Sequence, residues 1–256
     1  MFIDTHAHLT DEAFKGEEDE IIKLSKEMGV SGIINSGFDI PSSLQVISLA
    51  EKYPGLYASV GIYPENIKEL DDENYKKLFE LAQHKKVVAI GEIGLQYTEG
   101  CADRNKQKEG FLRQLKLAYE LKKPIVIHCR EAYGDMIDLL KKNSQLLAYG
   151  GTFHCFSGSE EIAKDAIKLG LYISVGGVST FKNAEKLRRV IEGVPLERIL
   201  LETDCPYLSP HPFRGKRNSP EYIPTIAENL AKLKGVSIEE VAIKTSRNAK
   251  ILFNLN

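Results

Sequence analysis

Eight short runs rich in β-branched residues alternate with longer amphipathic segments along the whole chain, and few folds accept that rhythm. The runs are residues 2–6 (FIDTH), 32–37 (GIINSG), 56–61 (LYASVG), 87–94 (VVAIGEIG), 124–129 (PIVIHC), 151–156 (GTFHCF), 171–177 (LYISVGG) and 199–205 (ILLETDC). The clearest intervening helix is 108–123, where Phe111, Leu112, Leu115, Ala118 and Leu121 recur at helical spacing. Two further helical patterns, 223–235 and 237–253, close the chain. Eight strand–helix pairs in 256 residues are the arithmetic of an α/β fold of the (β/α)8 TIM-barrel type. An open doubly wound sheet shares the alternation, but no Gly-rich dinucleotide fingerprint follows an early strand. No linker, low-complexity tract or repeat interrupts residues 1–256, so one barrel domain is expected across them.

The polar residues of the runs collect at their C-terminal ends. His6 and His8 stand one residue apart, so strand alternation turns both imidazoles to one face. His128 and His154 hold the same place on the fifth and sixth runs, Glu92 on the fourth and Asp204 on the eighth. Ile90 precedes Glu92 by two residues, Val126 precedes His128 likewise, and Leu200 lies two steps of alternation before Asp204. In a barrel those faces converge where active sites of this fold are built. In an open sheet, neighbouring strands about 4.8 Å apart would leave Asp204 on the order of 20 Å from the first strand. Closure removes that gap and favours the barrel. Four imidazoles and two carboxylates exceed the needs of one tetrahedral ion and suit a pair of divalent metals with open positions.

Around this set lie residues expected to support it. Asp4 and Glu202 should face inward one step deeper, either orienting an imidazole or forming a structural ion pair. Cys129, Cys155 and Cys205 each follow a proposed ligand directly, so alternation turns them away from the centre as small apolar packing groups. After the eighth run comes HPFRGKRNSP, with Arg214, Lys216 and Arg217 in four positions, where barrels of this kind often bind phosphate. Gly176 and Gly177 would let backbone N–H groups approach an anion, and Arg130, two residues past His128, is a further cation. A metal pair beside basic side chains points to an anionic substrate.

Composition limits the alternatives. The formal net charge is −2, from 34 basic and 36 acidic side chains, so no global basic field draws the chain onto nucleic acid. The four cysteines make no C-x-x-C pair and read as reduced thiols of a cytoplasmic protein. No apolar run reaches the roughly 18 residues of a membrane span, and no signal-peptide pattern opens the chain.

THAHL, GEIGL, IHCREA, HCFSG, ETDCPYLSP and PFRGKRN, in this order and spacing, resemble the TatD-type metal-dependent deoxyribonucleases of the amidohydrolase superfamily. The likeness runs from residue 3 to about 220, and SRNAKILF also resembles the family's ending. It implies that His6, His8, Glu92, His128, His154 and Asp204 bind divalent metal, typically Mg²⁺ or Mn²⁺ with Zn²⁺ as the alternative. It also implies hydrolysis of phosphodiesters in DNA. Two departures stand out. GIYPEN, with Tyr63 and Asn66, replaces the usual G-[IV]-H-P-H, and GEIGLQY, with Gln96, replaces GEIGLD. Neither removes one of the six metal positions.

The expected mechanism puts one ion on His6, His8 and Asp204, another on His128 and His154, and Glu92 between them as a bridge. Asp204 is the expected general base. Arg130, Arg214, Lys216, Arg217 and Tyr63 are the expected phosphate ligands, with DNA, single-stranded or at frayed ends, as substrate. Tyr63, Tyr97 and Phe213 are candidate base-stacking groups, although packing roles weigh more for each. Two other readings remain. The same metal centre could open a lactone or cleave an ester, including an aminoacyl-tRNA linkage. The chain could also bind nucleic acid without cutting it, although a full buried ligand set with no task is costly to keep.

Overall fold

The computed structural model describes residues 1–255. Among the described residues the chain forms eight strands and nine α-helices. The strands are β1 (Phe2–Ala7), β2 (Val30–Ser36), β3 (Leu56–Val60), β4 (Val87–Gln96), β5 (Ile125–Arg130), β6 (Gly151–Phe153), β7 (Tyr172–Val175) and β8 (Ile199–Leu201). The helices are α1 (Glu18–Glu27), α2 (Ile40–Lys52), α3 (Asp72–Ala82), α4 (Arg104–Glu120), α5 (Tyr133–Lys142), α6 (Glu160–Lys168), α7 (Glu185–Gly193), α8 (Ile223–Lys234) and α9 (Ile238–Phe253). All strands are parallel and pair in sequence order, each with the next, in one eight-stranded sheet. This is the (β/α)8 barrel. Several helices begin on an N-capping carboxylate or hydroxyl that accepts a backbone N–H, among them Asp39, Asp71, Asp103, Ser159 and Ser237.

The barrel closes between β1 and β8. The hydroxyl of Thr5 donates to the Leu201 carbonyl at 3.0 Å, the Asp204 N–H to the His6 carbonyl at 2.9 Å, and the His8 N–H to the Cys205 carbonyl at 2.8 Å. The seam is therefore sewn at the level of His6, His8 and Asp204 themselves.

Three layers fill the interior. At the N-terminal end of the strands Ile3, Ile34, Ala89, Val126, Tyr172 and Leu200 form an apolar plug, covered by Ala249, Leu252 and Phe253 of α9. Above it lies a hydroxyl layer, in which Ser174 reaches Thr5 and Thr152, each at 3.3 Å, and Ser36 reaches Ser59 at 2.9 Å. The metal-ligand candidates sit above that. A second, larger core packs the outer face of the barrel against the helices.

Strict alternation does not carry every ligand into place. Ile90 packs in the outer core and Ala89 in the inner one, and a register shift between Ile90 and Ile93 turns Glu92 inward. A similar irregularity between Asp4 and Ala7 separates the parity of Ile3 from that of His6. β6 and β8 stop at Phe153 and Leu201, short of the ends read from sequence, so His154 and Asp204 lie on the turns beyond them. Asp204 has φ 57°, a left-handed conformation that aspartate tolerates better than most residues.

Candidate metal centre

Each ligand candidate is aimed by a neighbour. His8 Nδ1 lies 3.1 Å from the Ser36 carbonyl and donates to it, which leaves Nε2 free to point inward. The Ser36 hydroxyl lies 3.1 Å from His6 Nδ1, so its residue supports both imidazoles of the first strand. The two inward nitrogens, His6 Nε2 and His8 Nε2, are 3.2 Å apart. On the other side, His128 Nδ1 and His154 Nε2 are 3.1 Å apart.

Glu92 stands between the pairs with one oxygen on each. Its Oε1 lies 2.7 Å from His128 Nδ1 and 2.9 Å from His154 Nε2. Its Oε2 lies 3.4 Å from His6 Nε2 and 3.7 Å from His8 Nε2. Asp204 Oδ1 approaches His8 Nε2 at 3.4 Å and His6 Nε2 at 3.7 Å. Donor atoms of His6, His8 and Asp204, and those of His6, Glu92 and His154, lie within 4.8 Å of one another. Metal–nitrogen bonds of about 2.0–2.1 Å at tetrahedral angles set ligand nitrogens roughly 3.3 Å apart, close to both observed separations. The donor set fits divalent cations.

The electrostatics agree. Burial would raise Glu92, yet the His154 charge and hydrogen bonds from His128, His154 and His6 hold its carboxyl well below the usual range. Burial would raise Asp204 too, and its bond to His8 brings it down. Burial pushes His6 down to about 4, whereas Glu92 lifts His154 to about 10 despite burial. Two ionised carboxylates thus wait for positive charge, which a proton on His154 provides when no metal does.

The centre opens into a cleft of about 530 Å³ whose walls include Phe38, Tyr63, Asn66, Arg130, Tyr207 and Leu208. Phe38, Tyr207 and Leu208 are 39, 55 and 37% exposed, an apolar rim around charged ligands. Of the four basic residues read from sequence, Arg130 alone lines this cleft among the described residues. Arg217 is paired with Glu17 at 2.6 Å, and Arg214 lies over the Phe181 ring at 4.5 Å, while Lys216 also lies off the cleft wall. Gly177 packs against the loop beyond β8, since a Cβ there would lie 2.1 Å from the Leu208 carbonyl oxygen. The aromatic residues sort similarly. Tyr97 donates to Asp135 at 2.7 Å, Phe213 stacks on Tyr222 at 4.3 Å, and the Tyr63 hydroxyl is spent on Gln96 at 2.6 Å. Glu202 does sit behind an imidazole, 3.9 Å from His154 Nδ1, and burial lifts it to about 8. Asp4 instead accepts the N–H and hydroxyl of Thr203, at 2.9 and 2.6 Å, and helps tie the barrel seam.

The model of the TatD related DNase family matches residues 3–254. The chain belongs to that family. It is 43% identical over 256 residues to the metal-dependent hydrolase YabD of Bacillus subtilis, with 100% of both chains covered. It is 35% identical to the 3′-5′ ssDNA/RNA exonuclease TatD of Erwinia tasmaniensis, covering 98% of this chain and 99% of the relative. The crystal structure of YJJV, a TatD homologue from Escherichia coli, superposes with a TM-score of 0.94 at 33% identity, covering 100% of this chain and 98% of the other. The protein is a metal-dependent hydrolase. Among the described residues no helix is long and apolar enough to cross a membrane.

Two supporting residues escaped the sequence reading. Ser36 orients both His6 and His8, and its signal was a polar residue at the end of the second run. Asn218, fully buried, donates to the carbonyls of Thr203 and Tyr207 at 2.8 and 2.6 Å and so braces the loop that carries Asp204. Its place in the basic stretch KRNSP gave no hint of burial.

Proposed function

We propose that the protein hydrolyses phosphodiester bonds of single-stranded DNA, or of frayed ends, with two divalent ions, Mg²⁺ or Mn²⁺. The observation that carries this reading is Glu92, whose two oxygens face two separate imidazole pairs. Divalent ions held there would supply Lewis-acid charge and acidify a water. His6, His8 and Asp204 would hold one, His128 and His154 the other, and Glu92 would fix their spacing. Asp204 is ionised at neutral pH and faces the cleft, so its carboxylate can take the proton of the attacking water. Arg130 on the cleft wall pairs with non-bridging phosphate oxygens and offsets charge that develops there. The cleft has the volume of a small-molecule pocket, which suits a strand end better than a duplex. A relative bearing the name of a 3′-5′ ssDNA/RNA exonuclease at 35% identity supports strand ends as the substrate.

The test is an end-labelled single-stranded oligonucleotide given to metal-stripped protein, to protein with Mg²⁺ or Mn²⁺ restored, and to Asp204→Asn. A metal-dependent ladder, reduced at least about 100-fold in the variant, is the expected result. Turnover of lactones or esters with no cleavage of the oligonucleotide would overturn the reading.

A further inference from the structure

The two departures from the family pattern, Tyr63 and Gln96, touch each other and the same ligand candidate. Gln96 is buried, and its Oε1 accepts from the Tyr63 hydroxyl at 2.6 Å and from His128 Nε2 at 2.8 Å. Its amide nitrogen donates outward, to the Glu65 carboxylate and to Cys101 Sγ, the latter at 3.4 Å. Its backbone is pinned on both sides by Gln107, whose Oε1 accepts the Gln96 N–H at 2.7 Å and whose Nε2 donates to the Gln96 carbonyl at 2.8 Å.

An amide is a two-ended group, and which end meets His128 decides the tautomer of the imidazole. With the oxygen inward, His128 carries a proton on Nε2, so a metal that takes the place of the Nδ1 hydrogen bond to Glu92 meets the Nδ1 lone pair. With the amide reversed, its NH₂ would donate to Nε2 and move the ring proton to Nδ1, where it would block a metal. A carboxylate in this place would accept from Nε2–H whichever way it turned. The amide needs something to hold it in one sense. The Tyr63 hydroxyl cannot do so alone, since it can donate or accept. An ionised carboxylate only accepts. Glu65 is the acceptor-only group, exposed on the short turn beyond β3, and it falls where the pattern G-[IV]-H-P-H has its second histidine.

We propose that Glu65, acting through the Gln96 amide, sets the tautomer of His128, so that Glu65 and Gln96 are coupled positioning residues for the ion on that side of the centre. This rests on the reading of His128 as a metal ligand. The neutral amide then plays the part of the carboxylate, and the charge has moved one residue further out.

The coupling predicts a rescue. Glu65→Met removes the acceptor, and Mn²⁺ affinity at the His128 side, measured by calorimetry, should fall about 10-fold. Gln96→Glu alone sets two carboxylates against each other and should lose on the order of 10–100-fold. Combining Gln96→Glu with Glu65→Gln restores one acceptor and one donor in reversed places, and affinity should return to within about threefold of wild type. In Zn²⁺-loaded protein, long-range ¹H–¹⁵N spectra should show the His128 proton on Nε2 in wild type and in the double variant. Glu65 is exposed, so Glu65→Met reports even where substitutions at buried Gln96 reduce stability. Unchanged affinity in Glu65→Met, or additive losses in the double variant, would overturn the coupling. Wild-type protein that binds no Mn²⁺ would instead overturn the metal reading itself.

Discussion

Adding one methyl group at Gly94 should unfold the site before it unfolds the protein. Gly94 pairs in register with His128 across β4 and β5, and a Cβ built on it would lie 1.8 Å from the His128 carbonyl oxygen. Carbon–oxygen contacts of this kind settle at about 3.3–3.6 Å, so the two strands must part by roughly 1.5 Å. That displacement breaks about two ladder hydrogen bonds worth about 0.5–1.5 kcal/mol each. Overpacking adds about 1–3 kcal/mol. The total, about 2–6 kcal/mol, corresponds to a fall in Tm of roughly 4–24 °C for a chain of this size. His128 moves with its backbone, away from the Glu92 oxygen now 2.7 Å from its Nδ1. A shift of about 1 Å at a reacting centre costs on the order of 100-fold in rate. His6, His8 and Asp204 lie at the β1–β8 seam, away from this strand pair, so in the proposed two-ion centre Gly94→Ala should weaken the site on the His128 side and spare the other. Calorimetric unfolding and a metal titration read both effects. Gly134→Ala, where a Cβ would meet nothing within 4 Å, is the control; it lies in α5, so metal binding should be unchanged and Tm should hold or rise slightly. Wild-type Tm and wild-type metal affinity in Gly94→Ala would refute the claim that this glycine sets the position of His128.

Other perturbations separate the remaining parts of the site. Stripping the metal should lower Tm by roughly 8–16 °C relative to protein at about 1,000 times Kd, since that ligand excess is worth about 4 kcal/mol. The stripped protein should also weaken with alkali. His154 is lifted from 6.5 to about 10 by Glu92, so its stabilising charge is complete below about pH 6.5 and lost as pH rises through about 10. Metal-loaded protein, in which the ion replaces that proton, should show a flatter profile between pH 7 and 10, read by thermal melts. Arg130→Ala should raise KM for oligonucleotide about 10-fold, whereas Arg217→Ala, whose guanidinium is engaged by Glu17, should leave KM within twofold. Asn218→Ala should cost about 1–3 kcal/mol by orphaning two carbonyls and should reduce turnover by loosening the Asp204 loop; equal loss of Tm with full turnover would deny that bracing role.

The sequence by itself determined the strand–helix alternation, the barrel it builds, and the residues that end its strands. Those features are local: β-branched runs choose extended backbone, and apolar spacing chooses which helical faces must be covered. Arg130, two residues beyond His128, was legible for the same reason. What the tertiary structure decided was aim. Register shifts in β1 and β4 direct His6 and Glu92 inward, where plain alternation would not, and a left-handed turn carries Asp204 beyond the end of β8. It also decided which cations face the cleft, since Glu17 and Phe181, far away in sequence, occupy Arg217 and Arg214. Tyr63 and Gln96 read as two isolated substitutions along the chain and become one hydrogen-bonded unit on His128 in the fold. The reason is physical. Backbone preference acts over a few residues, whereas hydrogen bonds and ion pairs act over a few ångströms, and only closure of the barrel turns the first scale into the second.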